Sequence, residues 1–205
     1  MEFGSDRPVV RPPRPDEAPR VASLLYLSSA AMYDRYAGGP EAAVRVLTSA
    51  FGRPGTTASA EAAWVAEVDG RLAAAMVAFP ALEGPRRGRR FMRLTIRRVA
   101  PWRWPGALSL YRRGAATAPA PPPDALYVDA IATAPDARRR GAALALLAHA
   151  ERRARDAGLP RLALDTAVDN HAARALYERA GFREFATSAA RPGLPGFAAY
   201  LKEIG

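Results

Sequence analysis

Apolar positions along the chain recur at two periods, and the alternation between them predicts the elements. Val9-Val10-Arg11 is a short β-rich run closed by Pro12-Pro13 and reads as a first strand. Asp16 is placed to cap the helix that follows, in which Val21, Leu24, Leu25 and Ser28 share one face at i, i+3, i+4 spacing. Beyond Gly38-Gly39-Pro40 a second helix is predicted, with Ala43, Val44 and Leu47 on its buried stripe. Ala63–Val68 and Arg71–Val77 are apolar runs split by Asp69-Gly70, a strong short-range signal for a hairpin. Ala125–Ala132 reads as a strand, and Thr133–Arg139 as a loop. A long helix follows from about Arg140 to Ala157, with Leu144, Leu147, Ala148 and Ala154 inward and a Glu151–Arg155 surface pair. Gly158 ends it. Arg161–Asp165 is another strand, and Asp169 or Asn170 caps a helix running to Ala180, stopped by Gly181. Phe182–Thr187 and Phe197–Lys202 fit a closing antiparallel pair. A strand–helix–strand crossover beside antiparallel strands makes the class mixed α+β.

Residues 80–124 break this rhythm. They begin at Pro80 and close on a proline-rich run, Pro119–Pro123, and between 80 and 113 they hold ten arginines against one acid, Glu83. That is a net +9 out of +10 for the 205-residue chain, so the rest is nearly neutral. Phe91, Leu94, Thr95 and Arg98 would share a helical face, and so would Leu108, Tyr111 and Arg112. The segment reads as an insertion with one or two short helices inside a single domain spanning 1–205. Lys202 is the single lysine, and the bias to Arg, Ala and Pro is also what a GC-rich coding sequence produces.

Composition excludes several chemistries. With no cysteine there is no disulfide framework, no thiolate zinc site and no thiol nucleophile. Two histidines, His149 and His171, make a multi-histidine metal site a poor expectation. Neither is assigned a catalytic role, and Trp64, Trp102 and Trp104 are read as core or lid residues. No run of eighteen apolar residues predicts a membrane span. The start lacks a signal-peptide pattern, and Glu2-Phe3-Gly4-Ser5 resembles a cloning scar. A cytoplasmic location is the expectation.

The informative stretch is Ala134-Pro135-Asp136-Ala137-Arg138-Arg139-Arg140-Gly141-Ala142-Ala143-Leu144. A strand enters, a loop of small residues turns, and a helix starts with N–H groups that lack intrahelical partners. With the positive end of the helix dipole, these form an anion site that small side chains let a phosphate approach. Neither a Walker-type Gly-Lys-Ser/Thr nor a Gly-x-Gly-x-x-Gly is present, which disfavours a triphosphatase and a dinucleotide fold. On its own, the loop is equally an ordinary helix start with solvated arginines.

One helix and one strand later comes Asn170-His171-Ala172-Ala173-Arg174-Ala175-Leu176-Tyr177-Glu178-Arg179-Ala180-Gly181-Phe182. The two segments together resemble the Gcn5-related N-acetyltransferase (GNAT) superfamily. Its Arg/Gln-x-x-Gly-x-Gly/Ala loop is matched by Arg138, Gly141 and Ala143, and its Asn, Leu-Tyr and Gly-Phe by Asn170, Leu176-Tyr177 and Gly181-Phe182. The resemblance is close over 125–187 and looser elsewhere, and the 80–124 insertion departs from a minimal member. It implies a central, mostly antiparallel sheet of six to seven strands with a splayed parallel pair, flanked by about four helices. It also implies acetyl-CoA as co-substrate and transfer to a primary amine on a small molecule or peptide. The pyrophosphate would meet the amides of Arg139, Arg140, Gly141, Ala142, Ala143 and Leu144, and the pantetheine arm would meet Ile131, Ala132 and Thr133. Asn170 would bond that arm or the neighbouring strand, and Tyr177 would protonate the leaving thiolate. Asp129, placed by alternation on the face of Ile131, is the candidate base, with Asp165 the runner-up.

Two other readings compete. Through its arginines and Phe91, Trp102, Trp104 and Tyr111, the insertion offers a surface for RNA, DNA or an anionic membrane, although no usual nucleic-acid fold is readable. A GNAT domain that binds acyl-CoA without catalysis is the third. An insertion folded over the acceptor side as a lid would repel polycations and favour acidic amines. Assembly as a homodimer is left open.

Overall fold

The computed structural model describes residues 7–205. The segment read as a cloning scar lies outside them. Strand β1 (Val9–Arg11) leads through a 3-10 turn into helix α1 (Ala18–Ser28). Asp16 is not the cap expected of it. The Arg14 N–H donates to Glu17 Oε2 at 2.6 Å, and Pro15 begins the turn. Then come α2 (Ala30–Ala37) and α3 (Pro40–Phe51), followed by the hairpin β2 (Ala63–Val68) and β3 (Arg71–Pro80). Asp69 and Gly70 at its turn both have positive φ, as a tight hairpin requires. The insertion folds as two full helices, α4 (Gly84–Thr95) and α5 (Trp104–Thr117). The chain closes with β4 (Ala125–Thr133), α6 (Ala142–Asp156), β5 (Arg161–Ala167), α7 (His171–Arg179), β6 (Arg183–Ser188) and β7 (Phe197–Glu203).

All seven strands form one sheet in the order β1-β2-β3-β4-β5-β7-β6, antiparallel except for β4 beside β5. The expected class and strand number hold. The described residues carry seven α-helices rather than about four. Two of the extra helices are the insertion. The third, α2, buries only Tyr36 and Ala37, so it carries little apolar period for a sequence to show.

Helices cover both faces of the sheet. Val21, Leu25, Val46 and Leu47 pack with Val65 and Val77 on one side, where α4 and α5 add Phe91, Met92, Ala107 and Leu110. On the other, Leu146, Leu147, Ala150 and Ala154 of α6 pack with Met76, Leu162, Leu164, Tyr177 and Tyr200. Several expected faces are rotated. Val44 is half-buried while Val46, Ala50 and Phe51 complete the buried face of α3. Leu144 and Ala148 are exposed, with Leu146 and Ala150 inward instead. Helix α6 begins only at Ala142, and the sheet contacts, not the first leucine, set its rotation. Leu94 and Leu108 are likewise exposed, while Met92 and Leu110 turn inward.

Trp64 stacks on His149 with ring centroids 4.0 Å apart and carries the Arg153 guanidinium 5.1 Å from its ring centre. These contacts pin α6 to β2. Lys202 reaches Glu151 at 2.7 Å, and Arg155 reaches the same carboxylate, as its i, i+4 spacing anticipates.

Candidate active site

The loop from β4 to α6 is held open by its backbone. Ala134 N–H donates to Ala73 C=O at 2.8 Å, tying the loop to β3. Arg139 and Gly141 then adopt positive φ, +63° and +80°. A Cβ on Gly141 would meet only Pro8 Cγ, at 3.8 Å, so conformation rather than crowding favours glycine there. Among the described residues no side chain caps α6. Its first intrahelical bond runs from Ala145 N–H to Gly141 C=O at 2.9 Å, which leaves the amides of Ala142, Ala143 and Leu144 ahead of it. An uncapped helix start of this kind is an anion cradle. Arg138 and Arg139 line the space before it. The Arg140 side chain turns away to Asp69 in the hairpin turn.

That space continues along the sheet because β4 and β5 part. They pair from Ala125 to Val128 against Arg161 to Leu164 and no further. Beyond this point β4 follows β3 up to Thr133, while β5 follows β7 through Asp165, Thr166 and Ala167. A cleft of about 1130 Å³ fills the divergence. Ile131, Ala132 and Thr133 form one wall, and Asp165, Thr166 and Ala167 the other. The α1–α2 junction, Ser28 to Met32, and the β6–β7 loop at Gly193–Pro195 close over it. Arg35 donates to Gly193 C=O, joining these two closures.

Asp129 lies on an irregularity in β4. Ala130 faces Val77 and Val128 faces Ala78, so Asp129 is the extra residue of a β-bulge. The bulge overturns the expectation that Asp129 and Ile131 share a face. Ile131 packs into the α6-side core, whereas Tyr127, before the bulge, and Ala130, after it, both pack on the α1 side. Asp129 opens into the cleft, within electrostatic reach of Asp165, Tyr33 and Tyr127. Its side chain keeps an exposed surface toward the cleft, but the surrounding walls strip part of its hydration, and this desolvation, with the Asp165 charge beside it, pushes its carboxyl up to about 7 against a smaller opposing pull from Arg87. Asp165 is also raised by burial, while the Tyr127 hydroxyl donating to its Oδ2 at 2.6 Å favours its ionised form.

Tyr177 of α7 lines the same floor, 5 % exposed, with its ring against Phe182 and Tyr200. Burial, and then the charge on Asp165, raise its hydroxyl above the usual tyrosine range. No hydrogen bond occupies that hydroxyl among the described residues. Asn170 caps α7 by accepting from Ala173 N–H at 3.2 Å, and its amide donates to Thr166 Oγ1 at 3.1 Å across the cleft wall.

The cleft therefore gathers Asp129, Ile131–Thr133, Arg138, Arg139, Gly141–Leu144, Asn170 and Tyr177, and leaves only the Arg140 side chain outside. His171 is exposed, and His149 belongs to the Trp64 contact. Among the described residues none of 80–124 lines the cleft, so the insertion is not folded over it as a lid. It braces the site from behind, with Arg103 donating to Arg35 C=O at 2.8 Å at the end of α2. Sequence reasoning missed Tyr33, Arg35, the α1–α2 junction and the β6–β7 loop, whose residues carry no motif. Tyr127 was visible as the residue two before Asp129.

A family model described as the acetyltransferase (GNAT) family matches residues 31–182. The chain belongs to the GNAT acetyltransferase family. Solved structures agree in fold. An N-acetyltransferase from Staphylococcus aureus Mu50 shares 16% identity over 94% of this chain and 99% of that one, with a TM-score of 0.72. Another, described as an acetyltransferase, shares 18% identity over 96% of this chain and 100% of that one, with a TM-score of 0.65. The ribosomal-protein-S18-alanine N-acetyltransferase from Escherichia coli is similar at 16% identity over 97% and 95%, with a TM-score of 0.55. Among curated proteins none matches the chain by sequence.

Proposed function

We propose that this GNAT domain transfers an acetyl group from acetyl-CoA to a primary amine by direct attack. The observation that carries the reading is the continuity of one cleft. It runs from the uncapped start of α6, along the divergence of β4 and β5, to a floor holding Asp129 and Tyr177. The amides of Ala142, Ala143 and Leu144, with Arg138 and Arg139 at the rim, suit a pyrophosphate. The parted edges of β4 and β5 suit an extended arm with amide groups, which would pair as a strand does.

At the floor, the amine nitrogen attacks the thioester carbonyl carbon. A C–N bond forms, the C–S bond breaks, and the sulfur leaves with the electron pair. The proton lost by the amine goes to Asp129, directly or through a water. A carboxyl with a pKa of about 7 is poised to accept it near neutral pH. Tyr177 supplies a proton to the departing thiolate. Its raised pKa keeps the hydroxyl protonated throughout the working range, but makes it a weaker acid than an ordinary tyrosine. Donation is then best coupled to C–S cleavage, with the hydrogen bond strengthening as sulfur gains charge.

The acceptor side bears two carboxyl groups, Asp129 and Asp165, against one arginine, Arg35, which is engaged with Gly193 C=O, and none of the described insertion arginines lines it. Without a basic lid nothing selects an acidic amine, and this floor favours a cationic one. The reading is tested by following thiol release from acetyl-CoA across a panel of polyamine, aminoglycoside, amino-acid and peptide amines. Amine-dependent release with an N-acetylated product is expected, fastest with multiply charged cations. Binding of acetyl-CoA without release for any amine would replace it with a non-catalytic acyl-CoA-binding domain.

A further inference from the structure

The insertion carries seven arginines between residues 84 and 98, and the fold uses only two of them. Arg87 bonds Glu83 at 2.7 Å and Glu61 at 3.1 Å, and Arg90 donates to Pro54 C=O at 2.7 Å. Arg86, Arg89, Arg93, Arg97 and Arg98 are exposed, and none makes an ion pair among the described residues. Their placement is fixed by the opposite side of α4. There Phe91, Met92 and Thr95 are buried, and Tyr36 Oη lies 2.6 Å from Thr95 Oγ1. With that side locked inward, positions 86, 89, 93 and 97 form one stripe toward solvent. Arg98 extends the stripe to a shallow groove shared with Arg45 and Arg53, so the basic surface continues onto the edge of α3.

The stripe is bracketed by apolar side chains that the fold leaves outside. Leu82, before α4, is 74% exposed, and Trp102, after it, is 83% exposed, while Leu94 is 37% exposed within the helix. Trp104 differs, since its indole N–H donates to Val99 C=O at 2.9 Å. Trp102 makes no such bond among the described residues. A helix with an arginine face and an indole beside exposed leucines matches the anatomy of segments that lie in a membrane interface. Nucleic acid would want aromatic platforms between the cations, and the exposed positions of α4 are Pro85, four arginines and Leu94, with no aromatic among them. Leucine gains nothing from a base but is stabilised at the acyl boundary.

We propose that this face docks the enzyme on an anionic lipid surface, with Trp102 and Leu82 entering the headgroup layer and the five arginines meeting lipid phosphates. The cleft lies elsewhere on the molecule, so docking is separable from catalysis.

The test is sedimentation of the full chain with vesicles of phosphatidylcholine alone or with 30 mol% phosphatidylglycerol. Binding only to the anionic vesicles is expected, weakening at least tenfold between 50 and 300 mM NaCl. Each arginine near such a surface is worth about fivefold in affinity. The fourfold change R86E/R89E/R93E/R97E should lower partitioning at least 100-fold, and the same positions changed to Lys should retain most of it. Trp102→Ser should cost about tenfold. The Glu variant should keep the parent's thermal unfolding and thiol-release rate, which separates lost docking from lost folding. No binding to anionic vesicles at 50 mM NaCl, or unchanged partitioning of the folded Glu variant, would overturn the proposal. So would a single-stranded RNA oligomer that displaces the protein from the vesicles at equimolar phosphate.

Discussion

Replacing Asp129 by Asn should move stability and activity in opposite directions, and the structure gives the sizes. The folded carboxyl titrates at about 7 against an ordinary 3.8. A folded-state pKa above the unfolded one means that the native state holds the proton more tightly. Stability is therefore highest at low pH and falls as pH rises from about 4 to about 7. At about 1.36 kcal/mol per pH unit the rise would cost about 4 kcal/mol in a site closed to water. Asp129 opens into a wet cleft, and screening there leaves about 1–2 kcal/mol. For a domain of this size, that is a rise in Tm of about 2–8 °C for Asp129→Asn at pH 8, vanishing near pH 4. Asn cannot accept the amine's proton, so kcat/KM at pH 8 should fall by about 10²–10³. The parent's kcat/KM should climb through about pH 7 and level off, while the variant's profile should be flat there. Coupling to Asp165 would broaden the parent's step without removing it. Differential scanning calorimetry at pH 4 and 8, beside thiol-release kinetics from pH 5.5 to 9, reads both effects. A variant destabilised at pH 8, or one keeping the parent's pH step, would refute the placement of a strained, proton-accepting carboxyl at the bulge.

Two further outcomes are expected. Tyr177→Phe should leave acetyl-CoA affinity nearly unchanged and lower kcat about 10²-fold, the pattern of an interaction made in the transition state; a rate within twofold of the parent would transfer proton donation to water. Under the proposed direct attack, intact-mass measurement after incubation with acetyl-CoA alone should show an unmodified chain, whereas a stoichiometric adduct of one acetyl, about 42 Da, would contradict it.

What the sequence made legible follows from which features are local. The Asp69-Gly70 turn, the Gly141 helix start, the Asn170 cap and the ends at Gly158 and Gly181 each depend on a few neighbouring residues, and all appear in the structure. Chain-distant geometry was not legible. The bulge at Asp129 arises from the pairing of β4 with β3, and it reversed the facing that simple alternation assigns to Ile131. Leu144 reads as core by periodicity but sits at the cleft mouth, because α6 docks through Leu146, Leu147 and Ala150. The insertion's charge suggests a lid over the cleft, which the fold does not form. Its position behind α2 depends on Phe91, Met92 and Leu110 finding a core that no local pattern specifies. The half of the cleft proposed for the donor was thus readable because it is a loop and a helix start. The half proposed for the acceptor was not, because it is assembled from α1, α2 and the β6–β7 loop.

The account rests most directly on the α6 start as the donor's anchor, and calorimetric titration of acetyl-CoA into the parent and Gly141→Glu tests it. The glutamate would place bulk and negative charge beside the amides of Ala142–Leu144, and its side chain must tolerate a φ of +80°. A folded variant with affinity at least tenfold below the parent is the predicted result. A folded variant that binds acetyl-CoA as tightly as the parent would contradict the placement of the donor and the mechanism built on it.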